Sequence, residues 1–577
     1  MALTPIGDQL IRVMTPKLTF DDIDSYDAAS HLVGWAAGWR LSGDPRMRTQ
    51  ALAMVEAVMA DRHARTPADR LWTAEASALD VAKAVMGMAL AYDLLAADTP
   101  PAQRRRWAAE LDARARRLAA GGGPGWNPSL ESNWNALARS AAGVAALVLA
   151  GEPGAAWAST ATAADDCRRR VRTYLDSMGS AGWNQEGDRY LRFAALNGWM
   201  PFAIAWQRKR GEDLLAGTHA RAYLDQLVLK STWSQADLAP VMPMFGKRAG
   251  PLELQSMFNG DFTLAMACAA PAQRPWLRWT WERLLAPPRD QGQWGLRDPH
   301  QIVLALLALD QQPAQCPEGH LAKTLVDDKH GYVLGRNRWR DDDDVVACAN
   351  AAASRARRCW WFQEPGSFKL NGLAARWISK EDTAAEDRVT SRWRDSLVVV
   401  PERTVLGTGR LSRVQTWPDG SFLADIDLAQ VYAAPGATKG AAPAPWPMRR
   451  QVYVDHSGRH GIATWAVIVD QVAAGTQAIA LWQLPGGAAP DADDRWSSRQ
   501  GRGVLRAWHA GGAERIRCSA TIAETVFRTR LVTLLTLGPS TAAAPAIAWR
   551  RSAPGTEEGR IGETGILLHS DRLDVRR

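Results

Sequence analysis

The sequence predicts a multidomain α+β protein in which an N-terminal (α/α) toroid or solenoid of paired helices is followed by a C-terminal antiparallel β-sandwich. Three observations carry this expectation. From about residue 25 to 315, apolar residues recur at helical spacing and Ala, Leu, Arg and Trp dominate. Beyond about residue 320 the apolar period drops to two. With 577 residues, the chain is several times the roughly 100–200 residues of one domain, so the change of period divides it into 1–315 and 316–577.

In the first part the pattern gives helices over 26–41, 47–60, 72–95, 101–119, 132–150, 154–177, 188–208, 211–229, 251–269, 272–286 and 298–311. Their limits are set by breakers such as Gly43-Asp44-Pro45, Thr99-Pro100-Pro101, Gly121-Gly122-Gly123-Pro124-Gly125 and Gly151-Glu152-Pro153. Many antiparallel helices on short loops are what a toroid requires. In the second part, strands are expected at 331–335, 396–400, 451–455, 463–469 and 503–508. The stretches 433–447 and 486–494 read as exposed loops, and Asp341–Asp344 as an acidic turn without EF-hand spacing.

Composition narrows the functional classes. Hydrophobic residues make up 46% and charged residues 23%, which excludes a disordered, collagen-like or coiled-coil chain. The net charge of +8 is dispersed in short runs such as Arg104–Arg106, Arg168–Arg170 and Arg355–Arg358, with no basic arm interleaved with aromatics. The expected partner is therefore an acidic polysaccharide or oligosaccharide rather than nucleic acid. The six cysteines show neither C-x-x-C nor Cys/His zinc spacing and read as buried small hydrophobes, so neither a metal nor another cofactor is expected. No signal-peptide core and no 18-residue apolar run occurs, so membrane insertion is not expected and the chain as written reads as unexported.

Four segments in order carry a resemblance. They are Leu79-Asp80-Val81-Ala82 through Ala91-Tyr92-Asp93-Leu94 to Thr99–Arg104; Glu131-Ser132-Asn133-Trp134-Asn135-Ala136; Gly182–Tyr190; and Glu364-Pro365-Gly366-Ser367-Phe368 with Leu373–Trp377. Together they resemble the LDVA…YDWL…TPEQR, NNW/NNH, W-x-E-G-x-x-Y and DAGSF…ALGxRW segments of the heparinase II/III-like polysaccharide lyases. The resemblance spans most of residues 30–480. It implies a toroid, a β-sandwich and β-elimination of a uronate-bearing polysaccharide in the cleft between them.

Such a reaction removes the proton α to a carboxylate, so a neutral donor must absorb the developing enolate charge, a base must take the C5 proton, and an acid must protonate the leaving O4. Asn133 suits the first task, and Tyr190 the second and third, with Arg189 or Arg192 lowering its phenol; the resemblance assigns the matching Asn and Tyr these roles. Each also has a plain structural explanation, Asn133 as a helix N-cap and Tyr190 as an amphipathic surface residue. Glu186 and Asp188 offer a hydrolase's acid and base, although at i and i+2 they do not share a helix face. A non-catalytic glycan-binding or exopolysaccharide-processing protein on the same fold is a further alternative.

Two positions depart from the family. Trp134 stands where the family often has His. In the β-domain motif, where the family reads H-x-H-x-D-x-G-S-F, the matching positions are Trp360, Phe362 and Glu364. His31 is the substitute candidate for catalysis, His330 is expected just before the first strand, and His456 and His460 on an exposed hairpin turn. Trp134, Asn135, Trp183, Glu186, Arg189, Arg192, Trp360, Trp361 and Arg449 complete the candidate substrate contacts. Tryptophan is the compositional outlier, with 27 copies against 8 Tyr and 10 Phe. Most, such as Trp35, Trp39, Trp276, Trp279 and Trp281, read as packing between helices, and Trp134, Trp183, Trp360 and Trp361 as sugar-stacking candidates.

Overall fold

The computed structural model describes residues 28–61, 72, 77–122, 126–237, 239–245, 261–284, 303, 313–353, 364–379, 398–401, 403–405, 407–434, 445–492, 494–519, 521–542, 545–553, 556–561, 563–569 and 572–577. Helices fill the first part: α1 (Ala28–Ser42), α2 (Pro45–Met59), α3 (Ala78–Leu95), α4 (Pro101–Ala120), α5 (Asn133–Leu149) and α6 (Ala163–Ser177). There follow α7 (Asp188–Ala194), a π-helical turn (Ala195–Trp199), α8 (Met200–Arg210), α9 (Ala220–Lys230), α10 over 261–268 and α11 (Arg274–Leu284). Local chemistry sets their ends. Asp44 accepts from the Arg46 amide at 2.9 Å ahead of Pro45, and α8 stops at Gly211 in the left-handed conformation (φ 71°).

Helix α5 is the hub, packing on α3, α4, α6, α7, the π turn and α8. Its small residues make this possible. A Cβ on Gly143 would lie 2.6 Å from the Phe202 ring, and one on Gly198 of the π turn 3.1 Å from the Ala136 carbonyl oxygen. The expected helix 154–177 forms only from Ala163. Gly154 takes φ 99°, and the buried Asp112 carboxylate accepts the Trp157 and Ala158 amides at 3.1 and 2.7 Å, fixing that stretch as turns. A short hairpin that helical periodicity does not show, β1 (Thr232–Ser234) with β2 (Ala239–Val241), follows α9.

The second part is antiparallel sheet, so the chain is mixed α+β. Five strands, β3 (Thr324–Asp327), β4 (Tyr332–Arg336), β5 (Val346–Asn350), β6 (Ser367–Gly372) and β7 (Ala375–Ile378), pair in chain order. Both faces of this sheet are covered, and the period-two alternation sorts the residues between them. Tyr332, Leu334, Val346 and Cys348 join the core of the helices, while Val333, Ala347, Ala349, Phe368 and Leu370 join a second core against a ten-stranded sheet. A four-stranded sheet over 547–576 covers part of the far face of the ten-stranded one, through Ile561, Ile566, Leu568 and Leu573 against Tyr453, Val467 and Leu534. The layering thus exceeds the expected two-sheet sandwich by a third sheet.

Other expectations need correction. Stretch 486–494 is not all loop, since Ala489–Ala492 pairs with Arg495–Gln500 as an edge hairpin, where Pro490 is tolerated. His330 follows a strand, β3, rather than preceding the first one. His456 is buried, 4% exposed, instead of lying open on its turn. Asp341–Asp344 is a turn, held because the buried Asp344 carboxylate accepts from Arg336 (2.7 Å) and from the Arg340 amide (3.0 Å). Cys167 and Cys348 are buried, whereas Cys268, Cys316 and Cys518 are only partly so; all five are free. Among the described residues no helix is long and apolar enough to cross a membrane, and no three His, Cys, Asp or Glu side chains group as a metal would need.

Candidate active site

The two toroid motifs meet at the start of α5. Ser132, with extended backbone, is the N-cap and accepts from the Asn135 amide at 3.4 Å, so Asn133 is the first helical residue and not the cap. The Asn133 backbone N–H donates to Glu186 Oε2 at 2.6 Å, a carboxylate placed at the positive end of the hub helix. The Asn133 carboxamide is fully buried, and neither its oxygen nor its nitrogen has a hydrogen-bond partner. Leaving such a group unpaired costs about 1–3 kcal/mol, which marks it for attention.

The loop that supplies Glu186 is built for close approach. Gly182 has φ 72°, and a Cβ there would lie 2.1 Å from the Tyr223 amide nitrogen of α9. Asn184 Oδ1 then accepts the Glu186 amide at 2.9 Å, and Gly187 (φ 86°) turns the chain into α7.

Asp188 opens α7 and is held on both oxygens. Lys230 Nζ donates to Oδ1 at 2.6 Å and the Phe245 amide to Oδ2 at 2.8 Å. The Lys230 ammonium lies 4.6 Å from the centre of the Trp183 ring and 4.9 Å from that of Tyr332, and these two rings stack in parallel at 4.6 Å. Trp183 is therefore no exposed stacking surface. At 3% exposure it joins the helices to β4, with the ammonium adding roughly 2 kcal/mol of desolvated cation–π attraction.

Several predicted substrate contacts are already engaged. Arg192, 2% exposed, donates from Nε to Asp261 Oδ2 at 2.7 Å. Burial pushes the Asp261 carboxyl up to about 6 while the guanidinium opposes that rise. Asn135 donates from Nδ2 to the carbonyls of Leu130 (2.8 Å) and Arg170 (2.9 Å), tying α6 to α5. Arg449, on the strand Met448–Asp455, pairs with Asp425 at 2.7 Å. His31 is buried in α1, its ring 6.2 Å from that of Trp35. Tyr190, Arg189 and Trp134 are half-buried, Tyr190 four residues beyond Glu186 on α7. Trp360 and Trp361 lie outside the described residues.

Buried basic residues that the motifs do not mark tie the layers together. Lys369 of β6 is fully buried, donates to the Met244 carbonyl, and lies 3.9 Å from Glu364 and 4.8 Å from the Phe245 ring centre. Arg450, also buried, pairs with Asp470 and donates to the Gly366 carbonyl, fixing the Gly366-Ser367 segment to the ten-stranded sheet. His330, buried with its Nε2 3.1 Å from the Ser177 carbonyl oxygen, is pushed down to about 4 by burial. Lys230 has one legible signal, a lone cation three residues after Leu227 on the face of α9 that periodicity buries; Lys369 has none, because alternation places it with the polar Ser367 and Asn371, opposite Phe368 and Leu370.

The arrangement, helices on one face of a five-stranded antiparallel sheet and a ten-stranded sheet on its other face, is the fold of heparinase-like polysaccharide lyases. Among solved structures the chain is similar to heparinase III (TM-score 0.60, 11% identity, 95% of this chain and 82% of that one). It is also similar to a mutant of heparan sulfate lyase HepC from Pedobacter heparinus (0.58, 11%, 100% and 89%) and to a Paenibacillus xanthan lyase (0.53, 9%, 94% and 57%). No family model and no curated protein sequence matches the chain. At these identities the likeness shows the fold alone.

Proposed function

We propose that the chain is a polysaccharide lyase that cleaves an acidic, uronate-containing polysaccharide by β-elimination in a cleft between an (α/α) toroid, 1–315, and a β-sandwich part, 316–577. The single observation that carries this reading is the Asn133 carboxamide, buried and unpaired at a helix start whose cap and first N–H are already served by Ser132 and Glu186. A neutral amide there donates to a substrate carboxylate without a desolvated charge of its own. Tyr190, as phenolate, takes the C5 proton. The C5–H pair becomes the C4–C5 double bond, the C4–O4 bond breaks, and the phenol returns the proton to O4. With Arg192 bound to Asp261, Arg189 is the cation adjacent to Tyr190 in this scheme. Asn133 is fully enclosed, so the reading also requires the site to open to a sugar ring.

That enclosure, together with the commitment of Trp183, Asn135 and Arg192 to internal partners, favours a second reading, a non-catalytic glycan-binding protein on the same fold. A hydrolase using Glu186 and Asp188 is disfavoured, because each carboxylate already accepts from a fixed internal donor. Incubation with a panel of uronate polymers separates the three. A lyase generates the ultraviolet absorbance of an unsaturated uronate, a hydrolase generates reducing ends without it, and a binding protein generates neither.

A further inference from the structure

The first N–H groups of an α-helix have no acceptor within the helix. At the start of α5 two of them are served from different places. The neighbouring Ser132 hydroxyl accepts from the Asn135 amide at 3.4 Å, whereas the Asn133 amide reaches Glu186 Oε2 at 2.6 Å, 53 positions further on. Asn133 and Glu186 are both buried, 0% and 1% exposed, so this charge-assisted bond is made in a low dielectric, where it is strongest.

The bond fixes more than a helix end. The N–H and the carboxamide of Asn133 are carried by one residue, so with Ser132 capping the turn and Glu186 holding the N–H, the direction of its Cα–Cβ bond is set and only χ1 and χ2 remain open. The loop on the other side is constrained in turn. Asn184 Oδ1 accepts the Glu186 amide at 2.9 Å, and Gln185 Nε2 reaches Glu131 Oε2 at 3.5 Å, a second tie between the same two segments. Tyr190 follows four residues after Glu186, past the Gly187 turn (φ 86°) and in the first turn of α7. One carboxylate thus links the segments that carry the two groups on which elimination depends.

A carboxylate is itself a poor contact for a uronate, because two negative charges in a buried site repel. Spent on the Asn133 amide, it leaves a neutral carboxamide to meet the anion.

We propose, resting on the lyase reading, that Glu186 is a positioning residue for elimination, which acts by holding the Asn133 carboxamide in place for the substrate carboxylate and not on the sugar itself. A double-mutant cycle on kcat, read from ultraviolet absorbance on a turned-over uronate polymer at a temperature where every variant is folded, tests this. Glu186→Asp keeps the charge but withdraws the acceptor by one methylene, whereas Glu186→Gln keeps the reach without the charge. Glu186→Asp lowers kcat about ten- to 10²-fold, the range for a misplacement of about 1 Å, and Glu186→Gln lowers it only about threefold. In an Asn133→Ala background either substitution costs less than about 1.5-fold further, because the group it orients is gone. Glu186→Gln alone carries the cycle if Glu186→Asp does not fold. Equal factors in the two backgrounds are what a merely structural Glu186 gives, and they overturn the proposal while a slow Asn133→Ala leaves the lyase reading standing. A wild-type rate in Glu186→Asp, or a slower Glu186→Gln than Glu186→Asp, also overturns it. Wild-type turnover in Asn133→Ala, or no turnover by the wild-type chain, overturns the reading and the proposal together.

Discussion

The backbone N–H of Asn133 donates to the carboxylate of Glu186 over 2.6 Å, across 53 positions of sequence. That bond joins two motifs whose proximity their sequence positions do not dictate. It also separates backbone from side chain at Asn133, the first serving the fold and the second left unpaired.

From this separation follows an unusual mutational outcome. Asn133→Ala removes a buried amide that bonds nothing, and the recovered desolvation penalty offsets the cavity left behind, so stability stays within ~1 kcal/mol of wild type. Uronate turnover in the same variant falls by about 10²–10³, the range for losing one oxyanion-type donor. Thermal melts and initial rates on one preparation check both halves.

Lys230→Met behaves oppositely. It strands the Asp188 carboxylate, 2% exposed, and removes the ammonium from the Trp183–Tyr332 stack, for a loss of about 3–5 kcal/mol. Adding Asp188→Asn recovers part of the loss, because no uncompensated charge remains. A double-mutant cycle by urea denaturation measures the coupling.

Gly182→Ala disrupts the loop that delivers Glu186. The position combines φ 72° with a Cβ 2.1 Å from a backbone nitrogen of α9, a clash that no side-chain movement relieves. The expected cost is at least ~2 kcal/mol. Chemical denaturation that matches wild type contradicts this.

His509 predicts a pH effect. Its ring nitrogens meet Thr533 Oγ1 at 3.1 Å and Thr525 Oγ1 at 2.9 Å, and burial pushes the imidazole down to about 4. The unfolded chain takes up this proton near pH 6.5 and the folded chain only near 4. Stability from this group is therefore complete above 6.5 and is lost as the pH falls toward 4, by about 3 kcal/mol. Asp261 and Asp327, both pushed up to about 6 by burial, act in the opposite sense below that pH, since the folded state is protonated first. His509→Gln isolates the histidine: its melting temperature declines less than that of wild type between pH 6.5 and 4.

How far the sequence can be read depends on which physics each feature obeys. Period and punctuation locate most described helices within a few residues, because amphipathic periodicity and caps such as Asp44 and Ser132 are local. The turns at 154–162 are not legible, since Asp112, more than 40 positions earlier, supplies their hydrogen bonds. The burial of His456 and the third sheet layer escape for the same reason, being decided by distant packing. At the site, the motifs point to Asn133, Glu186 and Asp188, which the structure does bring to one end of α5 and α7. They do not show that Trp183, Asn135 and Arg192 face inward, because Tyr332, the Arg170 carbonyl and Asp261 come from other segments.

Elimination with Tyr190 as the base stands or falls on the initial rate of ultraviolet absorbance increase on a turned-over uronate polymer, compared between the wild-type chain and Tyr190→Phe. The absorbance is expected to appear with wild type and to fall by about 10² or more in the variant, compared at a temperature where both are folded. An equal rate in Tyr190→Phe, or new reducing ends without the absorbance, contradicts the proposed elimination.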